Sequence, residues 1–310
     1  MTAVVITEFM DEAAVTALAA RFTVRYDASL VDRAGELLAS LAEADALIVR
    51  NRTPVNAALL AAAPRLRVVG RLGVGLDNID LAACEARSIT VIPATGANAQ
   101  AVAEYVIGAA LALLRGFTAC TPAVAAGQWP RPAMSQGREI AGRTLGLVGF
   151  GSIGRVTAAL ARGVGMQVIG FDAHVPQEDA AWHEAGVAAH PFAEVVASAD
   201  VLSLHVPLTP ATRNLLDAAR IATMKPGALL INTARGGVVD EAAVAAALRE
   251  GRLGGAALDV YATEPLPAGS VLADCPNLLL TPHIAGVTRE ANARVSALIA
   301  AKVAAALAPA

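Results

Sequence analysis

Three polar residues stand at the ends of apolar runs in the second half of the chain: Arg235 in INTARGG, Glu264 in DVYATEP and His283 in LTPHIAG. An arginine in such a place can clamp a carboxylate through two parallel N–H···O bonds. A histidine can give or take a proton near neutral pH. A carboxylate bonded to its second ring nitrogen would fix the tautomer and favour the imidazolium. Together the three suit a 2-keto acid, with Arg235 holding carboxylate and carbonyl and His283 protonating the oxygen as a hydride arrives. Taken singly, each also has a structural reading: Glu264 ahead of Pro265 as a turn cap, Arg235 as a solvated strand end, His283 as a satisfied histidine beside Pro282. A redox turn upstream decides between the readings.

That turn lies in LGLVGFGSIGRVTAALARGVGMQVIGFD, Leu145 to Asp172. An apolar run from Leu145 to Val148 passes through Gly149, Gly151 and Gly154 into the helical period of Val156, Leu160 and Val164. A second apolar run, Val168 to Phe171, ends on the carboxylate of Asp172, the spacing of a dinucleotide-binding βαβ unit. Gly149 allows the tight turn, Gly151 leaves room for a pyrophosphate, and Gly154 lets helix and strand pack closely. Backbone N–H groups of Ser152 and Ile153 would face the phosphates at the helix N-terminus. Asp172 would accept from an adenosine ribose and repel a 2′-phosphate. Ala173 and His174 follow without a cation to receive that phosphate, so the pattern favours NAD over NADP.

A second group of candidates lies near the start of the chain. The run Ala46 to Val49 leads into Arg50, Asn51, Arg52, Thr53 and Pro54, and the next run leads into GRLGVGLDNID with Arg71, Gly73, Val74 and Gly75. Ligands of parallel α/β sheets sit beyond the carboxyl ends of strands, which places both loops in a candidate site. Arg50, Arg52, Arg71 and Arg131 exceed what one carboxylate needs, and they predict a second anion, phosphate or sulfonate, on the third carbon of the substrate.

The elements that must hold these groups alternate. The β-type runs are Val4–Thr7, Thr23–Tyr26, Ala46–Val49, Arg67–Gly70 and Thr90–Ile92, with a larger set at Leu145–Val148, Val168–Phe171, Val201–His205, Ala228–Asn232, Ala256–Asp259 and Leu278–Thr281. Helical stretches separate them, among them Glu12–Ala20 and Glu241–Glu250. A long helix opens near Asn98, a candidate N-cap, and stops at Gly116. The pattern predicts an α/β protein of two doubly wound parallel-sheet domains. A helix from Thr288 to Leu307 follows the last strand and is expected back on the first sheet. The first domain is then discontinuous, residues 1–97 and 285–310, with the cofactor domain, 98–284, inserted.

A chain of 310 residues can bury two cores, and 55% hydrophobic residues with a positive mean hydropathy raise the question of a membrane span. The longest apolar stretch, Ala101 to Leu114, is too short and holds Glu104. With Glu8, Asp11 and Glu12 where a signal peptide would be basic, a cytoplasmic protein is expected. Cys84, Cys120 and Cys275 fit no metal or redox spacing, and a net charge of −3 without a basic cluster gives no footprint for nucleic acid or an anionic membrane.

The joint set GRLGVGLDNID, NAQAVAE, GFGSIG with Asp172, HVPLTPATRNL, MKPGALLINTARGGVVDEAAV, ALDVYATEP and LTPHIAG resembles the D-isomer-specific 2-hydroxyacid dehydrogenase family along essentially the whole chain. The resemblance implies a Rossmann NAD-binding domain inserted into a flavodoxin-like substrate domain, and a homodimer hinged between domains. It implies Arg235 as substrate-binding arginine, Glu264 as histidine partner and His283 as acid/base. It puts His205, Pro207, Thr212, Thr233, Ala234, Asp259 and Gly286 along the cofactor, and it has Gly73 and Val74 offering backbone N–H groups to the substrate carboxylate. Within the family, the length and GRLGVGLDNID are most similar to short phosphoglycerate dehydrogenases, to which frequency leans. The EFMDE opening and VRNRT resemble (S)-sulfolactate dehydrogenases. Two other roles share these features: an NAD-binding corepressor-like interaction module, against which the lack of any partner-binding extra segment stands, and a hydroxypyruvate or glyoxylate reductase.

Overall fold

The computed structural model describes residues 2–308. The chain divides into two compact units, one built from the residues up to Asn98 with those from Val287 onward, the other from Ala99–Gly286. The first unit holds five parallel strands, β1 (Ala3–Ile6), β2 (Thr23–Tyr26), β3 (Ala46–Val49), β4 (Val68–Arg71) and β5 (Thr90–Pro93), in the order β2-β1-β3-β4-β5. The central strands β1 and β3 are apolar on both faces because both faces are covered. On one side Val4, Ile6, Ile48 and Val68 pack with Leu18 of the helix Glu12–Ala19 and with Val295, Ile299 and Val303 of the final helix, Arg289–Leu307. On the other side Val5, Leu47, Val49 and Val69 pack with Leu37, Leu59, Leu60 and Cys84. The final helix therefore closes the first sheet. Its Thr288 Oγ1 accepts the Ala291 N–H, and its Ser296 Oγ accepts the Asp11 N–H, both at 3.0 Å. Strand order reverses between β1 and β3, so the loops leaving these two strands flank the switch point.

The second unit holds β6 (Thr144–Val148), β7 (Gln167–Phe171), β8 (Ala188–Ala189), β9 (Val201–Leu204), β10 (Ala228–Asn232), β11 (Leu253–Leu258) and β12 (Leu278–Leu280). They form one parallel sheet ordered β12-β11-β10-β9-β6-β7-β8, the doubly wound dinucleotide topology with one added strand, and its switch point lies between β6 and β9. Two differences from the pattern reading have local causes. β8 is two residues long, too short to show a period. β11 starts three residues before the expected Ala256 because Gly254 and Gly255, which read as breakers, are strand residues in tight quarters. A Cβ on them would stand 2.4 Å from the Gly227 carbonyl oxygen and 2.5 Å from the Asn277 amide.

The long helix runs from Ala99 to Arg115 and ends where Gly116 turns left-handed at φ +65°. Asn98, the candidate N-cap, precedes it but does not cap it: its Oδ1 is buried without a hydrogen-bond partner. The unit boundary at Gly286 rather than 284 follows from Asp259, which accepts the Ala285 N–H at 2.8 Å and ties that residue to the second sheet. Among the described residues no helix is long and apolar enough to cross a membrane.

Candidate active site

The glycine turn after β6 has the three properties its residue types suggest. Gly149 sits at φ +101°, and a Cβ there would come within 2.4 Å of the His205 carbonyl oxygen. A Cβ on Gly154 would come within 2.3 Å of the Gly149 carbonyl oxygen, so helix Ser152–Gly163 meets the strand end only because Gly154 lacks one. In front of Gly151 there is open space, and the first-turn N–H groups, those of Ser152 and Ile153 included, are directed along the helix axis toward its N-terminus. Asp172, at the end of β7, accepts the Phe150 N–H at 2.7 Å on one oxygen and the His174 N–H at 2.8 Å on the other. A carboxylate has about four acceptor sites, so Asp172 is oriented by the backbone and still able to accept ribose hydroxyls. Behind it, Phe150 stacks on buried Trp182 with centroids 3.9 Å apart.

Along the remaining strand ends of this sheet, Thr233 Oγ1 is buried with no hydrogen-bond partner. Such an orphaned hydroxyl in a native fold points to a missing polar partner. With the open space at Gly151 and the oriented Asp172, it makes the residues present fit a bound dinucleotide. Ala234 and Arg235 are set by Asn232, only 2% exposed, whose side chain accepts the Ala234 N–H and donates to the Arg235 carbonyl, both at 3.0 Å. His205 lies beyond β9 with Nε2 3.0 Å from Ser203 Oγ, and burial lowers its pKa to about 4, so it is neutral at physiological pH. Pro207 is exposed. The Thr212 hydroxyl is engaged within its own loop, donating to the Pro207 carbonyl at 2.6 Å and accepting the Thr209 N–H at 2.7 Å.

Glu264 and His283 come together. Glu264 Oε2 lies 2.8 Å from His283 Nδ1, while Oε1 accepts the Tyr261 N–H at 3.1 Å. This directs Nε2, the other ring nitrogen, away from the pair. His283 adopts φ +57°, a region that non-glycine residues rarely occupy, and its N–H donates to the Thr281 carbonyl at 3.0 Å. What holds that conformation is Asp259, 1% exposed, which accepts from Thr281 Oγ1 (2.6 Å), Ile284 N–H (2.7 Å) and Ala285 N–H (2.8 Å). The resemblance placed Asp259 at the cofactor, and Gly286 with it; in the fold, the Asp259 carboxylate is the anchor of the loop that carries His283 and ends at Gly286. Tyr105 OH at 2.6 Å from Thr281 Oγ1 extends the network. The Tyr261 hydroxyl, its pKa pushed up to about 12 by burial, stays protonated between the Leu258 and Thr281 carbonyls.

In the first unit the organising group is one the motifs did not flag. Glu8, 4% exposed, follows β1 and accepts the N–H groups of Arg50 (2.8 Å), Arg52 (3.1 Å) and Thr53 (3.0 Å). Thr7 Oγ1 and Thr53 Oγ1 lie 2.8 Å apart beneath it. Asn78 stitches the next loop on, donating to the Arg50 carbonyl at 3.2 Å and the Thr53 carbonyl at 2.7 Å. A polar residue just past a strand at the switch point was the available signal for Glu8.

The arginines here differ. Arg52 is exposed and paired with Asp32. Arg50 is half-buried, its pKa lowered by desolvation, with Nη2 2.8 Å from Asn292 Oδ1 and the guanidinium 5.9 Å from the Phe9 ring centroid. Among the described residues no carboxylate lies in ion-pair range of it. Asn51 is exposed between the two. In the neighbouring loop the Arg71 guanidinium packs against Gly73, whose N–H donates to the Arg71 carbonyl at 2.8 Å. The N–H that the resemblance offers to a substrate is here taken up by the Arg71 carbonyl; Val74 and Gly75 follow it, half-buried. Arg131 belongs to the other unit and is exposed.

A family model described as the NAD-binding domain of D-isomer-specific 2-hydroxyacid dehydrogenases matches residues 107–285. The chain is 56% identical to the (S)-sulfolactate dehydrogenase of Chromohalobacter salexigens over 96% of its own length and 95% of that protein's. It is 42% identical to the D-3-phosphoglycerate dehydrogenase of Mycobacterium leprae over 88% of its length but spans only 51% of that protein. Among solved structures it superimposes with a TM-score of 0.81 on the D-lactate dehydrogenase of Aquifex aeolicus complexed with NAD and lactic acid, at 29% identity, covering 97% of this chain and 94% of that one.

Proposed function

The chain belongs to the D-isomer-specific 2-hydroxyacid dehydrogenase family and is an NAD-dependent oxidoreductase, and from that premise we propose that its substrate pair is 3-sulfolactate and sulfopyruvate. The observation that carries this reading is Arg50, a half-buried guanidinium on a strand-end loop, with Glu8 acting on it only beyond ion-pair range among the described residues. A desolvated cation facing a methyl group would cost free energy without compensation, whereas a sulfonate would satisfy it. A phosphate would satisfy it as well. The relative that shares 56% identity at matching length carries the sulfolactate name, which outweighs the lean of frequency toward phosphoglycerate. Reduction from the same face gives one spatial arrangement for both products under opposite labels, because the sulfur-bearing carbon outranks the carboxylate.

In this reading Arg235 pairs with the carboxylate and carbonyl of the keto acid. His283 delivers a proton from Nε2 to the carbonyl oxygen, and Glu264 holds Nδ1 and the positive charge that the ring carries before that transfer. NAD, when bound, supplies the hydride acceptor or donor. The helix N-terminus at Ser152 would hold its phosphates and Asp172 its ribose, and the buried Thr233 hydroxyl would give it a further polar contact. Arg50 meets the sulfonate and Val74 N–H the carboxylate. The full set of acid, base and anion groups favours an enzyme over an interaction module. We also read the protein as a cytoplasmic homodimer, the dimer supported by Phe117, Val124, Trp129 and Met134, all exposed along one segment.

The test compares kcat/KM for sulfopyruvate, phosphohydroxypyruvate, hydroxypyruvate, glyoxylate and pyruvate with NADH. Sulfopyruvate is expected to lead. A preference for glyoxylate or hydroxypyruvate would move the enzyme to the reductase class. Light scattering in solution should give twice the chain mass.

A further inference from the structure

We propose that Glu8 is the positioning residue that sets substrate selectivity: by holding the turn from Arg50 to Thr53 on its carboxylate, it fixes where the Arg50 guanidinium meets a tetrahedral oxyanion on the third carbon of a 2-keto acid. The inference rests on the reading that the substrate bears that second anion. Glu8 does not touch substrate; it acts through the backbone. Its Oε1 accepts two N–H groups, from Arg50 and Thr53, and its Oε2 accepts a third, from Arg52. Three donors converging on one buried carboxylate make a rigid seat, because each bond is charge-assisted and water is excluded. The backbone of Arg50 is thereby set, and its guanidinium is steadied by one hydrogen bond to Asn292 and by the Phe9 ring. A guanidinium has five N–H donors and the Asn292 bond uses one, so the group is oriented and still has capacity for an anion. The Glu8 charge lies beside both arginines, and its three N–H partners offset the repulsion it would exert on an incoming anion.

The chemistry of glutamine provides a graded test. In Glu8→Gln the amide oxygen can keep the Arg50 and Thr53 bonds, but the amide nitrogen then faces the Arg52 N–H, donor against donor. Glu8→Ala removes all three bonds. Thr53→Val removes only the hydroxyl contact with Thr7 and is the milder probe of the same turn.

Initial rates are measured with sulfopyruvate and with pyruvate at saturating NADH. For Glu8→Gln the KM for sulfopyruvate should rise about tenfold or more, with kcat changed by less than about threefold, and the rise should exceed that for pyruvate by about fivefold or more, the split expected when binding rather than chemistry is lost. Glu8→Ala should go further in the same direction, and Thr53→Val should raise KM for sulfopyruvate selectively by roughly two- to fivefold. Equal losses on the two substrates, or a loss confined to kcat, would overturn the proposal. If the Glu8 variants do not fold, an unselective Thr53→Val overturns it. A wild-type enzyme that does not prefer sulfopyruvate over pyruvate sinks the substrate reading itself, and Glu8 with it; a wild-type preference retained in Glu8→Gln sinks only the role of Glu8.

Discussion

The turn at Arg50–Thr53 and the loop at Thr281–Ala285 are built the same way and serve different ends. Each hangs on one buried carboxylate, Glu8 or Asp259, that accepts three hydrogen bonds. In the 281–285 loop the functional side chain is also bound directly: His283 has Glu264 on Nδ1 and a backbone held at φ +57°. In the 50–53 turn the functional side chain is held by the Asn292 amide and the face of the Phe9 ring. In the proposed reading His283 transfers the proton, and its backbone conformation and its bond to Glu264 fix the ring's orientation, as general acid catalysis requires. The proposed anion-binding group, Arg50, is held more loosely, and Coulombic recognition tolerates that positional freedom. Within one family the chemistry can therefore stay constant while loops of the second kind choose the substrate.

The largest effect should come from the rigid loop. His283→Ala should lower kcat by roughly two to four orders of magnitude while NADH binding, read by fluorescence titration, stays near wild type; unchanged turnover would remove the assigned proton role and the contrast with it. Removing the anchor should be nearly as damaging by another route. Asp259→Ala leaves Thr281, Ile284 and Ala285 donors unmet at roughly 1–3 kcal/mol each, so both kcat and the urea midpoint should fall together. In the softer turn, Arg50→Ala should reduce kcat/KM for sulfopyruvate by about 10- to 100-fold and for pyruvate by much less, whereas Arg52→Ala, whose guanidinium already faces Asp32, should change either by less than about threefold. Equal effects of the two arginines would erase the distinction drawn between them.

Two smaller effects test the cofactor edge. Asp172→Ser with Ala173→Arg should shift preference toward NADP, because the carboxylate is removed and a cation is placed beside it where a 2′-phosphate would lie; wild-type enzyme with equal kcat/KM for both cofactors would remove the role of Asp172. His205 has a pKa lowered by burial to about 4 in the fold against about 6.5 in the open chain. The unfolded chain thus binds the extra proton first. Its contribution is complete above about pH 6.5 and is lost as pH falls toward 4, up to roughly 3 kcal/mol. Urea unfolding at pH 7 and pH 4.5 should show this loss in wild type and a reduced one in His205→Gln.

The sequence alone determined the two alternating α/β patterns, the glycine turn with Asp172, and the candidates Arg235, Glu264 and His283, because each of these is written in local period or spacing: strands such as Ala46–Val49 and Ala228–Asn232 fall on their apolar runs. What it could not determine is what a side chain does after the chain has folded. Only tertiary structure decided that Glu8, 42 residues from Arg50, would seat its turn, that Asp259 would reach Thr281 and Ala285, and that Arg52 would meet Asp32 while Arg50 met Asn292, 242 residues away. It also decided that Asn98 would not cap the helix from Ala99 and that the Gly73 N–H would turn back on Arg71. Spacing along the chain encodes helices and strands because their hydrogen bonds are periodic. A buried carboxylate takes whichever donors the packed layers bring to it, and that pairing has no period to read.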